Sequence, residues 1–477
     1  MVKLLNGLVK LFLFLLSWQT IWLYREVFVG GVKMEYGTLG FYATEILLWV
    51  IVIVFVCWFW KERKLRNFEI KKFSLTRDRI FVFSLLLFTF YFLLSTFWST
   101  DRSLALQQGV RVMEAILLFL IIIIGPLNKE KLIRWFIYGA ILPSILGIWQ
   151  FLSQATFVST WLGLAIHPAW QAGTSVIASE TIGRWLRAYG TFSHPNVFGG
   201  YLVVVIVLWL SLRGGARATA KQSLGNLEKI KIINLSGIAS SADANRLSRN
   251  DMFIYSLFLT ALFFTFSRSA WLALLIGLGV LCWRNLSQPS PYSLRRELGP
   301  NGGGKACLPA RQGWGLFLVM PVVLFLIFSF IYFPLIQTRT NNSTISETRS
   351  ITERTTGYSE AWKMIKQNPI LGVGAGNYTI ALWRMDKWRP VWELQPVHNV
   401  PLLLLVELGF VGLLLVLLII WSFFRLKTYD LSLMSYILCL IPLLLFDHYL
   451  YTSYAGLMLI SVFLGILLKS DAQSLPS

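Results

Sequence analysis

Five short segments place arginine, histidine or aspartate among turn residues at the edges of apolar runs: 184–196, 267–269, 354–378, 398–399 and 447–449. Guanidinium groups offer paired donors to phosphate oxygens and stay charged. Histidine has an unperturbed pKa of about 6.5 and can take a proton from a hydroxyl. These residue types therefore predict a cationic site with a base, and its candidate residues are Arg187, His194, Arg268, Arg354, His398, Asn399 and Asp447.

Each segment also has a structural interpretation. Arg187 and His194 could belong to an interfacial belt, with Pro195 and Asn196 capping the next helix. The glycines of 372–376 are more typical of a tight turn than of a nucleotide site, because no strand leads into them. His398 could cap a helix.

The charged residues inside apolar runs could likewise be structural. Arg268 could pair with Glu114 or Asp447, and Asp447 could balance an arginine. Arg111 and Glu114 are three residues apart, a spacing that favours a pair on one helix face.

The composition is that of an integral membrane protein. Of the 477 residues, 56% are hydrophobic and only 14% are charged, and the apolar residues fall in blocks of about 20, enough to cross a bilayer as helix. This excludes a soluble enzyme and a β-barrel porin. The four cysteines show no CxxC and no close pairing, so neither a disulfide framework nor a metal site is indicated.

The sequence predicts an all-α polytopic membrane protein with about twelve spans. The first is a retained helix, since no small-residue cleavage site follows it. The net charge of +20 comes mainly from basic loops between the spans. The positive-inside rule places these loops and both termini in the cytoplasm. The predicted spans are 4–24, 38–60, 80–98, 104–125, 134–153, 197–212, 252–266, 270–283, 313–335, 399–422, 431–450 and 452–468.

Four longer connections divide between the two sides. Residues 213–251 and 284–312 are predicted as basic cytoplasmic tethers. Residues 154–196 and 336–398 are predicted as large, tryptophan-rich extracytoplasmic loops. The second contains a predicted interfacial helix at 357–368, stopped by Pro369, and it makes a large helical loop before the tenth span.

The candidate residues then collect at the outer ends of several spans, away from ATP. Such a site suits a substrate that is already activated, namely a sugar on a lipid pyrophosphate, because arginines stabilise the departing negative charge. A flippase or transporter for a lipid-linked sugar is the alternative of another class. It would need charges spread across the membrane depth, whereas here they concentrate at the outer rim.

The sequence resembles the O-antigen ligase and polymerase superfamily of bacterial polysaccharide enzymes. The stretches that carry this resemblance are RAYGTFSHPN at 187–196, TFSRSAW at 265–271, Arg354 with NPILGVGAGNY at 368–378, and VHN at 397–399 with ELG behind it. With the predicted layout of spans, the resemblance covers about residues 80–468. The long inner loops are a departure from the common pattern and leave partner proteins open.

The resemblance implies a metal-independent, inverting membrane glycosyltransferase without a cofactor, acting at the extracytoplasmic face of the plasma membrane. Its donor would be an undecaprenyl-pyrophosphate-linked glycan. Arg187 and Arg268 would bind the pyrophosphate, and His398 would be the base or orient the acceptor. Arg354 matches the arginine that opens the loop helix, whereas Asp447 matches less closely.

The acceptor would be a glycan, a lipid or a protein, so ligation, repeat-unit polymerisation and protein O-glycosylation all remain open. Ligation to a lipid or cell-envelope acceptor is slightly preferred over polymerisation. Membrane lipids are expected partners and nucleic acid is not.

Overall fold

The computed structural model describes residues 1–65, 77–171, 173–179, 183–227, 249–287, 312–340, 345–425 and 436–469. These residues are mostly helical. The helices are α1 (Val2–Leu15), α2 (Ala43–Leu65), α3 (Arg77–Leu94), α4 (Arg102–Ile124), α5 (Lys129–Ser153), α6 (Pro195–Leu227), α7 (Arg249–Phe264), α8 (Arg268–Ser287), α9 (Gln312–Ile331), α10 (Phe333–Thr340), α11 (Ile345–Gln367), α12 (Tyr378–Met385), α13 (Val400–Phe424), α14 (Leu440–Leu445), α15 (Tyr449–Thr452) and α16 (Tyr454–Leu468).

Among the residues that the structure describes, six helices are long and apolar enough to cross a bilayer: α2 to α6 and α13. A seventh candidate is the pair α9 and α10, which bend by 99° at Tyr332. Shorter apolar helices cover Asp251–Phe264, Arg268–Trp283, Tyr436–Leu445 and Tyr454–Leu468. Each predicted span overlaps one of the described helices, but the count of twelve stays a prediction.

The N-terminal part of the chain corrects the first predicted span. Helix α1 ends at Leu15, and 21–25 forms strand β1 (Ile21–Arg25), which pairs antiparallel with β4 (Leu39–Tyr42). Residues of high β propensity favour this ribbon. Between them, β2 (Phe28–Val29) and β3 (Val32–Lys33) form a hairpin whose turn glycines, Gly30 and Gly31, have φ of 58° and 79°. The chain is thus mostly helical with small strand ribbons.

A third ribbon lies in the first predicted outer loop. Strand β5 (Val176–Ser179) pairs antiparallel with β6 (Gly183–Leu186). The ribbon ends directly before Arg187 and so delivers this side chain to the start of the site.

Two predicted loops begin as helix. Helix α6 continues to Leu227, into the connection predicted at 213–251, and α8 continues to Ser287. The remainder of the predicted tethers, 228–248 and 288–311, lies outside the described residues. The predicted helix at 357–368 is present but starts earlier, at Ile345, and ends at Gln367, before Pro369.

The bundle is held by helix pairs from distant parts of the chain. Helix α4 packs on α16, α1 on α5, α3 on α13, and α6 on α8. The buried Lys469 Nζ donates to the carbonyls of Ile122 and Gly125, both at 2.9 Å, at the end of α4. This satisfies helix-terminal acceptors and fixes α4 against the end of α16.

The segment 369–378 packs into a kink of α13 at Gly409, where φ is 64° and ψ is −167°. There Val373 N donates to Val406 O at 3.0 Å, and Phe410 N donates to Pro369 O at 2.9 Å. The buried Glu407 carboxylate accepts from Gly376 N at 2.7 Å and from Tyr451 OH at 2.5 Å. The alternating glycines therefore form a tight turn bound to α13, as their spacing favoured.

Candidate functional site

The site residues come from the ends of separate elements, and the helix bundle brings them together. Arg187 follows β6, while His194 and Asn196 lie at the start of α6. His398 directly precedes the N-cap of α13, and Asp447 lies between α14 and α15. Side chains at the ends of helices and strands can point into a space that several elements share.

A chain of hydrogen bonds links the first of these segments to the last. Arg187 Nη2 donates to Asn196 Oδ1 at 2.7 Å, and Asn196 Nδ2 donates to Asp447 Oδ2 at 2.7 Å. Arg187 and Asp447 are only 5% and 4% exposed. Because Asn196 relays between them, a buried cation and a buried anion compensate each other without direct contact.

Arg187 also braces the turn before α8. Its Nε donates to Thr265 O at 2.6 Å, and the neighbouring Ala188 N donates to Phe264 O at 2.9 Å. Phe266, in this turn, adopts φ of 46°, an uncommon conformation for a non-glycine residue. The turn thereby fixes Arg268 as the first residue of α8, next to the Arg187 segment.

His398, Asp447 and His448 form a second cluster. The rings of His398 and His448 meet edge to face at 4.9 Å between centroids, and the ring of Tyr36, which lies between β3 and β4, packs edge to face on His448 at 5.7 Å. His448 Nδ1 lies 2.9 Å from Thr452 Oγ1. His398 is therefore the less enclosed histidine, and the one that lines a cavity.

The electrostatics of this cluster keep His398 in its basic form. Burial lowers the pKa of His398, the Asp447 carboxylate opposes this, and the Arg354 guanidinium adds to it. Burial raises the pKa of Asp447, while the His398 charge lowers it. A histidine with a lowered pKa is neutral at pH 7 and can accept a proton.

Positive charge is concentrated around Arg187. Burial lowers the pKa of Arg187, and the nearby charges of Arg339 and Arg268 lower it further. Arg339 lies near the end of α10, which packs on β5, so the bend between α9 and α10 turns it towards Arg187. Like charges held together in this way favour an anionic ligand.

Some of these features were missed in the sequence. Arg339 lies shortly after the predicted ninth span, and only the bend shows that it reaches the site. The role of Asn196 as a relay and the nearness of His448 to His398 also depend on contacts between segments distant in sequence.

The remaining predicted residues divide by role. His194 Nδ1 accepts from Asn196 N at 3.1 Å. Asn399 caps α13, because its Oδ1 accepts from Leu402 N at 2.9 Å, and its Nδ2 donates to Leu445 O at 3.2 Å. These two contacts give Asn399 a structural role as a helix cap. That Asn399 also contacts a substrate stays a prediction. Arg354 lines, with His398, a cavity of about 530 Å³.

Two structural alternatives can be judged from the contacts. Glu114 Oε1 accepts from Trp49 Nε1 at 2.7 Å, and its other oxygen has no hydrogen-bond partner among the described residues, so pairing with Arg268 is not supported. The expected ion pair between Arg111 and Glu114 is wrong, because Arg111 Nε instead lies 3.5 Å from Glu45 Oε1. The helices α2 and α4 pack together, and this makes Glu45 the nearer partner.

The histidine and aspartate cluster could hold a metal ion. One ligand atom each from His398, Asp447 and His448 lies within 4.8 Å of the others. Both Asp447 oxygens already accept protein hydrogen bonds, from Asn196 Nδ2 and His448 N. A metal would have to compete with these contacts.

Residues 253–417 match the family model Wzy_C, described as O-antigen ligase. The match begins in α7 and ends in α13, so it includes Arg268, Arg354 and His398. A search of curated proteins found no match. The family match supports the predicted resemblance to the O-antigen ligase superfamily, whose members are membrane enzymes of the glycosyltransferase or ligase type.

Proposed function

We propose that this protein transfers a glycan from an undecaprenyl-pyrophosphate-linked donor to an acceptor hydroxyl at the extracytoplasmic face of the plasma membrane. The observation that carries the proposal is the arrangement of buried Arg187, linked through Asn196 to Asp447, beside His398. It combines a phosphate-binding cation with a neutral base, the two groups that this transfer needs.

The proposed reaction is a single inverting displacement. The acceptor oxygen attacks the anomeric carbon of the donor, and the bond from that carbon to the pyrophosphate oxygen breaks. The bonding electrons leave with the lipid pyrophosphate, where Arg187 and Arg268 stabilise the added negative charge. His398 takes the proton of the acceptor hydroxyl, so no metal is needed.

The other residues position the reactants in this scheme. Arg354 binds substrate from the side of the cavity that it lines. His194 and Asp447 both contact Asn196 and so hold the segment 187–196 close to His398. With both termini in the cytoplasm, the site opens to the opposite side, where no ATP is present. A lipid-linked donor then reaches it from the outer leaflet.

Transfer in proteoliposomes tests this proposal. We expect the wild-type protein, given a lipid-pyrophosphate glycan and an acceptor, to release lipid pyrophosphate and form a new glycosidic linkage without ATP and in the presence of a chelator. Arg268→Ala should lower the rate by about 10²–10³-fold, since one preorganised charge contact is lost. Arg268→Lys should recover part of it, because the charge returns without the paired donors.

Arg134→Ala is the matched control, since Arg134 is exposed near the start of α5 and pairs only weakly with Glu130 at 3.8 Å. Movement of the donor between leaflets without release would contradict the proposal and favour a flippase. Loss of activity with chelator, restored by added metal, would overturn the metal-independent step and assign His398, Asp447 and His448 as ligands.

The pH dependence of transfer should identify His398 as the base. For kcat/KM, the acidic limb reports the pKa of the base in the free enzyme. Because burial lowers the pKa of His398, we expect this limb below the ordinary histidine value of about 6.5. Asp447→Asn removes a negative neighbour and should move the limb to lower pH. Arg354→Gln removes a positive neighbour and should move it to higher pH.

The opposite signs of the two shifts separate electrostatics from general damage. Lys363→Gln, on the exposed side of α11, should leave the profile unchanged. Shifts of Asp447→Asn and Arg354→Gln in the same direction would show that another group titrates.

A further inference from the structure

A cavity of about 530 Å³ lies between α11 and the segment 389–398, and the half-buried His398 is one of its lining residues. Such a volume is typical of small-molecule sites, which measure about 300–1,000 Å³. No residue of this cavity other than Arg354 and His398 has a role in the proposed transfer. The cavity thus leads from the protein surface to the base, on a route separate from Arg187.

One face of α11 supplies the first wall. Thr348, Thr352, Thr356 and Glu360 follow each other at intervals of four residues, and Glu353 and Gly357 form the adjacent row. Residues four apart lie on the same helix face. The wall therefore presents a ladder of hydroxyl groups with carboxylates at its edges.

The second wall is held in place by an ion pair. Arg389 donates to Glu360, and the two side chains are 17% and 13% exposed. Glu393, Gln395 and Pro396 continue this wall towards His398. The pair therefore joins α11 to the segment 389–398.

The charge of the cavity differs from that around Arg187. Glu353, Glu360 and Glu393 line it, against Arg354 and Arg389. The lining therefore carries three carboxylates against two guanidinium groups, which is a net negative charge. Carboxylates accept hydrogen bonds from hydroxyl or amino groups and repel anions.

We propose that this cavity binds the acceptor as a hydroxyl-rich glycan segment that is uncharged or carries an amino group, and discriminates against acidic sugars. The threonines and carboxylates bind its hydroxyls, and His398 receives one hydroxyl. This inference rests on the proposed transfer reaction for the identity of the ligand as acceptor. It does not need that reaction for glycan binding itself.

Gly357 offers a way to close the cavity without moving the backbone. A Cβ at this position would have only Val397 Cγ2 nearby, at 3.8 Å, an ordinary contact. Gly357→Leu should extend into the cavity between the two walls. Lys363→Leu is the matched control, because Lys363 lies on the exposed side of α11 and does not line the cavity.

The test uses the full chain in nanodiscs and two probes, a neutral β-linked glucose trisaccharide and its analogue with one glucuronic acid. Binding is followed by saturation-transfer NMR. We expect the neutral probe to bind at least about tenfold more weakly to Gly357→Leu than to wild type or Lys363→Leu. The acidic probe should bind wild type more weakly than the neutral one, and Glu393→Gln should improve its binding about fivefold.

If Gly357→Leu binds the neutral probe as tightly as the wild type does, the cavity is not a glycan site. The same conclusion follows if the wild type binds neither probe. Equal binding of both probes would overturn the charge discrimination. Glu393→Gln keeps the test valid should Gly357→Leu fail to fold. With donor present, an unchanged acceptor KM in Gly357→Leu overturns the acceptor role alone. Normal probe binding with no lipid-pyrophosphate release overturns the transfer reaction alone.

Discussion

Replacing His398 with alanine is expected to lower glycan transfer by about 10²–10⁴-fold, because the variant has no group to take the acceptor proton. Donor binding should change little, since the proposed phosphate contacts of Arg187 and Arg268 come from other elements. The measurement is single-turnover transfer in proteoliposomes, with donor affinity determined separately. A loss confined to kcat would identify an interaction of the transition state.

The chain offers two comparisons for this prediction. His167→Ala, which removes a ring stacked on Tyr189 at 4.1 Å, should leave transfer within about twofold. His448→Ala tests the neighbouring ring, which is already engaged with Thr452. Wild-type rates in His398→Ala, together with a large loss in His448→Ala, would move the base to His448.

Residue types and chain positions predict the candidate residues, but not the contacts between them. Arg187, Asp447 and His398 are candidates because each lies at the end of an apolar run, and their roles stay a prediction. That Arg187 and Asp447 are joined by Asn196 was not predictable, because the three residues belong to segments up to 260 positions apart. Such links depend on the packing of the bundle, for which one sequence gives no pairwise signal.

Arg339 is a second residue whose position near Arg187 could not be predicted from the sequence. Its apolar neighbours predict a span that simply ends, whereas the structure bends the chain by 99° between α9 and α10. The bend changes the direction of the chain but not its composition, so hydropathy does not reveal it.

The length of an apolar run predicts the long helices well. It predicts less where an apolar segment can pair as a strand and does not form a helix. The long helices α2 to α6 follow directly from runs of apolar residues. Residues 21–24 are also apolar, yet 21–25 pairs with β4 because the chain returns at the Gly30-Gly31 turn. Hydropathy reports the preference of side chains for an apolar environment and not the hydrogen-bond partners of the backbone. The predicted span 4–24 is therefore longer than α1, which ends at Leu15.

The turn of alternating glycines depends on Gly409 of α13 as well as on its own glycines. At φ of 64° and ψ of −167°, Gly409 occupies a region that is essentially restricted to glycine. A Cβ there would lie 2.2 Å from Ile370 O and 2.4 Å from Ile370 C, both backbone atoms that cannot rotate away. The contact would push 369–378 off α13 and disturb the hydrogen bonds to Glu407.

We therefore expect Gly409→Ala to destabilise the protein by about 3 kcal/mol or more, through backbone strain and a steric clash together. The measurement is thermal unfolding of the purified protein in detergent, with monodispersity as a second readout. Gly279→Ala is the matched control, because a Cβ at this helical position of α8 meets nothing within 4 Å, and it should be neutral or slightly stabilising. A Gly409→Ala variant as stable as Gly279→Ala would mean that the kink of α13 is not needed to hold the glycine turn, and His398, at the start of the same helix, would then be positioned by the Asn399 cap and its contact with Leu445.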